Sequence, residues 1–188
     1  QSRAMDRTAP RPYLLSLPNL LTFGRILAVP AMAVCFLLLR NDSGRWLALA
    51  IYTVACLTDW LDGYLARMWD QQSSLGRMMD PIADKLLVGT ALMLLVFDNT
   101  IDNSTIYAAI IILCREILVS GLREFLAELN KTVHVSQLAK WKTTLQMVAL
   151  GVLLAGPAGD KLIAGVTTSG TALLWVAATL TLYTGYDY

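Results

Sequence analysis

Apolar stretches, each close to the ~20 residues that cross a bilayer as a helix, recur along the chain and are parted by short polar turns. The pattern predicts six helices. The first runs over about Leu20 to Leu39, after Pro10-Arg11-Pro12 and a short amphipathic piece, Tyr13 to Leu17, suited to the membrane interface. Asn41-Asp42-Ser43-Gly44 reads as a turn, and the second helix covers about Arg45 to Trp69. A polar loop over 70–74 follows, with Ser73 or Ser74 placed to cap the third helix, about Leu75 to Phe97. Asp98 to Ser104 forms the next turn. The fourth helix spans about Thr105 to Leu129, the fifth about Val135 to Ala155 and the sixth about Leu162 to Tyr183. Gly156-Pro157-Ala158-Gly159-Asp160 is expected to break the last two apart. The expected architecture is an all-α membrane protein: a polar and interfacial segment over 1–19, with a short interfacial helix, then one domain of six transmembrane helices over 20–188.

Composition supports that reading. Of 188 residues, 56% are hydrophobic and 15% charged, against roughly 25% charged in a soluble domain. The spans leave no room for a separate soluble enzyme domain. The net charge of +1 gives no sign of a nucleic-acid partner. Cys35, Cys56 and Cys114 lie inside apolar stretches, too few and too scattered for a disulfide framework or a zinc site, and read as small core residues.

The distribution of charge says more than its sum. Arg3, Arg7 and Arg11 precede the first helix, Arg67 and Arg77 flank the 70–74 loop, and Arg123, Lys131, Lys140 and Lys142 flank the loop near residue 130. The opposite ends hold Arg40, Arg45 and Lys161, offset by Asp42, Asp98, Asp102 and Asp160. The positive-inside rule then puts both termini on the cytoplasmic side. A short chain with no apolar leader core and no transit segment makes a bacterial plasma (inner) membrane the expected location.

Against this background four carboxylates stand out. Residues 59 to 84 read Asp59-x2-Asp62-Gly63-x2-Ala66-Arg67-x8-Gly76-x3-Asp80-x3-Asp84. Each Asp at a helix centre in a membrane costs about 2.5–3.5 kcal/mol on insertion scales. Asp59 and Asp62 are three apart and Asp80 and Asp84 four apart, so each pair shares a helix face. The short loop makes the two helices antiparallel neighbours and brings the pairs together at the cytoplasmic end. Hard oxygen donors select Mg2+ or Mn2+. Four negative charges suit two such ions, a clamp used in phosphoryl displacement. Gly63, Ala66 and Gly76 remove bulk where a ligand approaches the backbone. Pro81 either sits in the first turn of the third helix or kinks it. The plainer alternative, in which these residues are caps and membrane-end charges, suits one or two carboxylates better than four at these spacings.

This 26-residue string resembles the signature of the CDP-alcohol phosphotransferase family, with every motif position filled. The resemblance implies a six-helix membrane enzyme with the fold of that family, commonly a homodimer, that moves a phosphatidyl or related group from a CDP-linked donor to an alcohol and releases CMP. By that resemblance Asp59, Asp62, Asp80 and Asp84 bind the metal ions, and Asp84 is also the general base on the acceptor hydroxyl. Asp59, Gly63, Ala66, Arg67 and Gly76 would line the donor site.

The first helix opens Pro18-Asn19-Leu20-Leu21-Thr22-Phe23-Gly24-Arg25. Asn19, Thr22 and Arg25 share a stripe; capping and a snorkelling arginine explain it as simply as ligand contact does. The family's Pro-Asn-x2-Thr-x2-Arg opening resembles it and implies donor contacts by Asn19 and Thr22. In the fourth helix Arg115 lies deep in an apolar run, Arg123 is roughly 80° further around the axis, and Lys140 opens the fifth helix. Three cations beside a metal site make a pocket for a second phosphate, belonging to the acceptor. Pairing with Glu116 and Glu124 is the competing explanation. Arg115 through Glu124, with Lys140-Trp141-Lys142-Thr143, is similar to the phosphatidylglycerophosphate synthase branch of the family. That likeness, from about Leu17 to Ala149, implies CDP-diacylglycerol as donor and sn-glycerol 3-phosphate as acceptor, with Arg115, Arg123 and Lys140 holding the acceptor phosphate.

Other acceptors remain open: inositol phosphate, serine or phosphatidylglycerol. An ion-coupled transporter would also gather carboxylates in the membrane, but with broken helices and an internal repeat that this sequence lacks. A prenyltransferase would carry two Asp-rich helices far apart in sequence rather than one compact cluster. His134 reads as polar loop surface, and the tryptophans mostly as interfacial anchors.

Overall fold

A computed structural model describes residues 17–69, 74–129 and 137–186. Six helices follow one another: α1 (Leu17–Leu39), α2 (Asp42–Trp69), α3 (Ser74–Phe97), α4 (Ile106–Glu128), α5 (Gln137–Asp160) and α6 (Val166–Tyr186). The interfacial piece expected at Tyr13 to Leu17 falls almost wholly outside the described residues, as does His134; Leu17 itself already belongs to α1.

One boundary differs from expectation for a local reason. Asn41-Asp42-Ser43-Gly44 is not a free turn. Asn41 caps α2, its Oδ1 accepting from the Gly44 N–H at 2.9 Å, and the reversal is made at Arg40, with φ of +42°. The break expected at 156–160 falls at Gly156, whose φ of 39° and ψ of −125° are not helical; a short helical stretch resumes beyond this kink and runs to Asp160. Pro157 has no N–H for the Leu153 carbonyl. Arg45 of α2 supplies the missing donors instead: Nη2 donates to Leu153 O at 3.0 Å and Nε to Leu154 O at 3.1 Å. The same guanidinium pairs with Asp98 and bonds Thr100 Oγ1 at 3.0 Å, and it sits 5.1 Å above the Phe36 ring. One arginine thus ties α1, α2, the α3–α4 turn and the α5 kink together.

The bundle pairs α1 with α2 and α3, α5 with α6 and α2, and α4 with α6. Its core is built from Met32, Tyr52, Leu95, Ile112, Leu153 and Leu174 and their neighbours. Gly170 lets α6 approach α5 closely, since a Cβ there would lie 2.8 Å from the Leu153 side chain.

The distribution of polarity is the reverse of a water-soluble fold. Leu27, Leu38, Leu57, Met93 and Leu118 face outward, while Asn19, Arg25, Arg45, Lys142, Gln146 and Thr184 are buried. Two helices are long and apolar enough by themselves to cross a membrane, Asn19–Leu39 and Val166–Thr184. The other four carry, with Arg25 of α1, the charges that build the interior. The cysteines are not all core residues: Cys35 and Cys56 are half-buried and Cys114 is exposed on α4.

Candidate active site

The ends of α1, α2 and α3 meet through polar side chains. Asn19, Thr22 and Arg25, spaced three apart, form a buried stripe on α1, each at most 4% exposed. Thr22 Oγ1 donates to Asp80 Oδ1 at 3.0 Å. Arg25 pairs with Asp59 and approaches Asp80 Oδ1 at 3.7 Å through Nη2. Of the two explanations offered for this stripe, a snorkelling Arg25 is not what the structure shows; the guanidinium is enclosed within the bundle, and it is a site residue whose role the sequence reading missed. Its regular spacing after Asn19 and Thr22 was the available signal. Pro81 lies inside α3, well beyond its first turn, so Asp80 and Asp84 sit on helix interior rather than at a cap.

On the other side of Asp59 a cavity of about 660 Å3 opens between α2, α3, α4 and α5. Asp59 and Asp84 line it together with Arg115 and Arg123. Two cations the sequence reading did not assign to the site, Lys85 and Lys142, line it as well. Asp80 stays on the α1 side and Asp59 joins the two regions. Gly76 is buried. The side chains of Asp62, Arg67 and Lys140, and the surroundings of Gly63 and Ala66, lie outside the described residues.

Charges inside the cavity are partly matched. Lys142, buried on α5, pairs with Glu116, and Arg115 Nη1 approaches the same carboxylate at 3.4 Å. Arg115 Nη2 also donates to Thr184 Oγ1 of α6 at 3.2 Å, while its Nε is buried without a partner. Pairing between Glu116 and Arg115, the competing explanation for these cations, is thus part of the arrangement. Glu124 lines the cavity but makes no ion pair among the described residues.

Among the described residues no three acidic, histidine or cysteine side chains converge on one point. The donor set nevertheless fits a hard divalent cation. The Asp59 carboxylate is near enough to repel both Asp80 and Asp84, and Arg25 supplies the positive charge that now offsets two of the three. Carboxylate oxygens held together against their own repulsion are what Mg2+ or Mn2+ would bind.

Comparison with known proteins gives the family. A family model for CDP-alcohol phosphatidyltransferases matches residues 15–183. A CDP-diacylglycerol–glycerol-3-phosphate 3-phosphatidyltransferase of Rickettsia felis is 44% identical, the match covering 92% of this chain and 93% of the relative. The enzyme of the same name from Escherichia coli K12 is 42% identical, covering 92% of each. A CMP-forming cardiolipin synthase of Oryza sativa subsp. japonica is 41% identical over 93% of this chain and 56% of the relative.

Proposed function

The chain belongs to the CDP-alcohol phosphatidyltransferase family, and we propose that it transfers a phosphatidyl group from CDP-diacylglycerol to sn-glycerol 3-phosphate, forming phosphatidylglycerophosphate and CMP. The observation that carries this reading is one cavity lined by Asp59 and Asp84 together with Arg115 and Arg123. The carboxylates suit a diphosphate whose charge divalent cations would offset, and the guanidinium groups suit a second phosphate on the acceptor.

In this reading Asp84 accepts the proton of the attacking glycerol hydroxyl. The oxygen forms a new bond to the phosphatidyl phosphorus as the diphosphate bridge to CMP breaks. Asp59, Asp62, Asp80 and Asp84 would hold the divalent cations, two in number, which would supply positive charge for the diphosphate and the departing CMP. Asn19, Thr22, Asp59, Gly63, Ala66, Arg67 and Gly76 position the donor, and Arg115, Arg123 and Lys140 the acceptor phosphate. Arg25 keeps Asp59 and Asp80 in place. The reading has all six helices crossing a bacterial inner membrane with the site at its cytoplasmic face, as the basic residues at that end favour, and two copies of the chain forming a homodimer.

Identity to a cardiolipin synthase at nearly the same level supports a second reading, in which a lipid alcohol is the acceptor. The test is CMP release from CDP-diacylglycerol, with Mg2+ or with chelator, offered glycerol 3-phosphate, phosphatidylglycerol, inositol phosphate or serine in turn. Metal-dependent release with glycerol 3-phosphate alone is expected. Equal release with phosphatidylglycerol, or with serine, would overturn the acceptor assignment.

A further inference from the structure

The cavity contains more positive groups than its ion pairs consume. Lys142 and Arg115 share Glu116. Lys85 and Arg123 line the same cavity and make no hydrogen bond or ion pair among the described residues. Lys85 is half-buried, on a helix whose neighbouring cavity wall is α4, and its charge reaches Asp59, Asp84 and Glu116. A second, more apolar recess between α3 and α4, of about 390 Å3, is also lined by Lys85 and Glu124, so the ammonium stands at the seam between α3 and the α4 wall that carries Arg115 and Arg123.

We propose that Lys85 is a further acceptor-binding residue: with Arg123 it takes the phosphate of a phosphorylated alcohol while Asp84, one position earlier on α3, takes the proton of that alcohol's hydroxyl. The inference rests on the reading of Asp84 as base in a phosphatidyl transfer. Adjacent Cα atoms are about 3.8 Å apart, and both side chains enter one cavity. A short acceptor with its hydroxyl and phosphate a few bonds apart is thereby gripped at both ends by neighbouring residues. Lys142 has a different part: it is already paired with Glu116, the carboxylate that Arg115 also approaches.

A partly enclosed lysine with no hydrogen bond or ion pair among the described residues keeps its N–H donors for an anion. A guanidinium or ammonium already committed to a carboxylate would have to surrender that contact first. Lys85 also separates acceptors by chemistry, since an unphosphorylated alcohol would leave those donors without an acceptor.

The experiment compares wild type with Lys85→Met and Lys85→Arg by steady-state CMP release, varying acceptor and donor separately, with inorganic phosphate as a competing probe. Lys85→Met is expected to raise the apparent KM for glycerol 3-phosphate about 10- to 100-fold, the loss of one charge-assisted hydrogen bond. The KM for CDP-diacylglycerol should stay near its wild-type value. Lys85→Arg should restore most of the acceptor affinity, and inhibition by inorganic phosphate should weaken in the Met variant and return in the Arg variant. Unchanged acceptor KM and unchanged phosphate inhibition in Lys85→Met would overturn the proposal, as would equal changes in both substrates' KM. If Lys85→Met does not accumulate as folded protein, Lys85→Arg and Lys85→Gln decide by the same ratio. Should wild type use a different phosphorylated alcohol, the assigned acceptor fails while the Lys85 comparison still applies to that alcohol. Should it use only unphosphorylated alcohols, the role given to Lys85 fails with it.

Discussion

Replacing Arg25 with methionine keeps the length and bulk of the side chain and deletes the charge between Asp59 and Asp80. The guanidinium is fully buried, whereas the two carboxylates are 35% and 28% exposed. Removing one member of a fully buried pair costs about 3–5 kcal/mol. Partial hydration of the carboxylates lowers this to about 2–3 kcal/mol. At about 2–4 °C per kcal/mol for a chain of this size, the metal-free variant should unfold roughly 4–12 °C below the parent in the same detergent. Thermal unfolding followed by intrinsic fluorescence, with divalent ions chelated, measures this directly. Added Mg2+ should then raise the Tm of Arg25→Met more than that of the parent, because the cation replaces the counter-charge that was removed. A metal-free Tm within about 2 °C of the parent, together with an equal Mg2+ increment in both proteins, would refute the view that Arg25 balances the carboxylates.

Three further outcomes are expected. Asp84→Asn should lower turnover by about 10²- to 10⁴-fold while CDP-diacylglycerol binding, read by ligand-induced Tm shift, survives; loss of binding in step with turnover would count against a base. Arg115→Ala should raise the KM for glycerol 3-phosphate well above any change for the lipid donor, because Arg115 lines the cavity with Asp59 and Asp84; equal effects on both would exclude it from the acceptor pocket. Gly156→Ala would place a Cβ 2.5 Å from Arg45 Nη2, at a φ of +39°. That should cost about 1–3 kcal/mol of stability while leaving turnover below the new Tm close to wild type, and a collapse of kcat without a change in Tm would contradict a purely structural role.

The Arg45 junction shows where local reading stops. In the sequence Arg45 is one of three basic residues on the side opposite the carboxylates, useful only for topology. Its real partners lie 53 to 109 positions away, and no periodicity links a residue at the start of α2 to carbonyls freed by Pro157. The break expected at 156–160 does occur, at the non-helical Gly156, but what satisfies the carbonyls freed there was not legible locally. A distant guanidinium does so, and a short helical stretch resumes beyond the kink as far as Asp160. Arg25 followed a similar course: its spacing put it on the right stripe, yet only packing against α2 and α3 could show that it turns inward to Asp59 instead of outward to the interface.

What the sequence determined by itself was whatever depends on spacing along one helix or on bulk polarity. Six apolar segments, the pairing of carboxylates at intervals of three and four, and the placement of Arg115 within an apolar run are all written in local order, because helix geometry converts interval into direction. The tertiary structure decided which charges share one space. It set Asp59 between Arg25 and the cavity, gave Glu116 to Lys142, and brought Lys85 to the α4 seam with no ion pair among the described residues. Those choices depend on how α1 packs on α2 and α3, and α5 on α2, α3 and α6. Coulomb energy inside a bundle is fixed by distances between helices, and intervals along a single helix do not contain them.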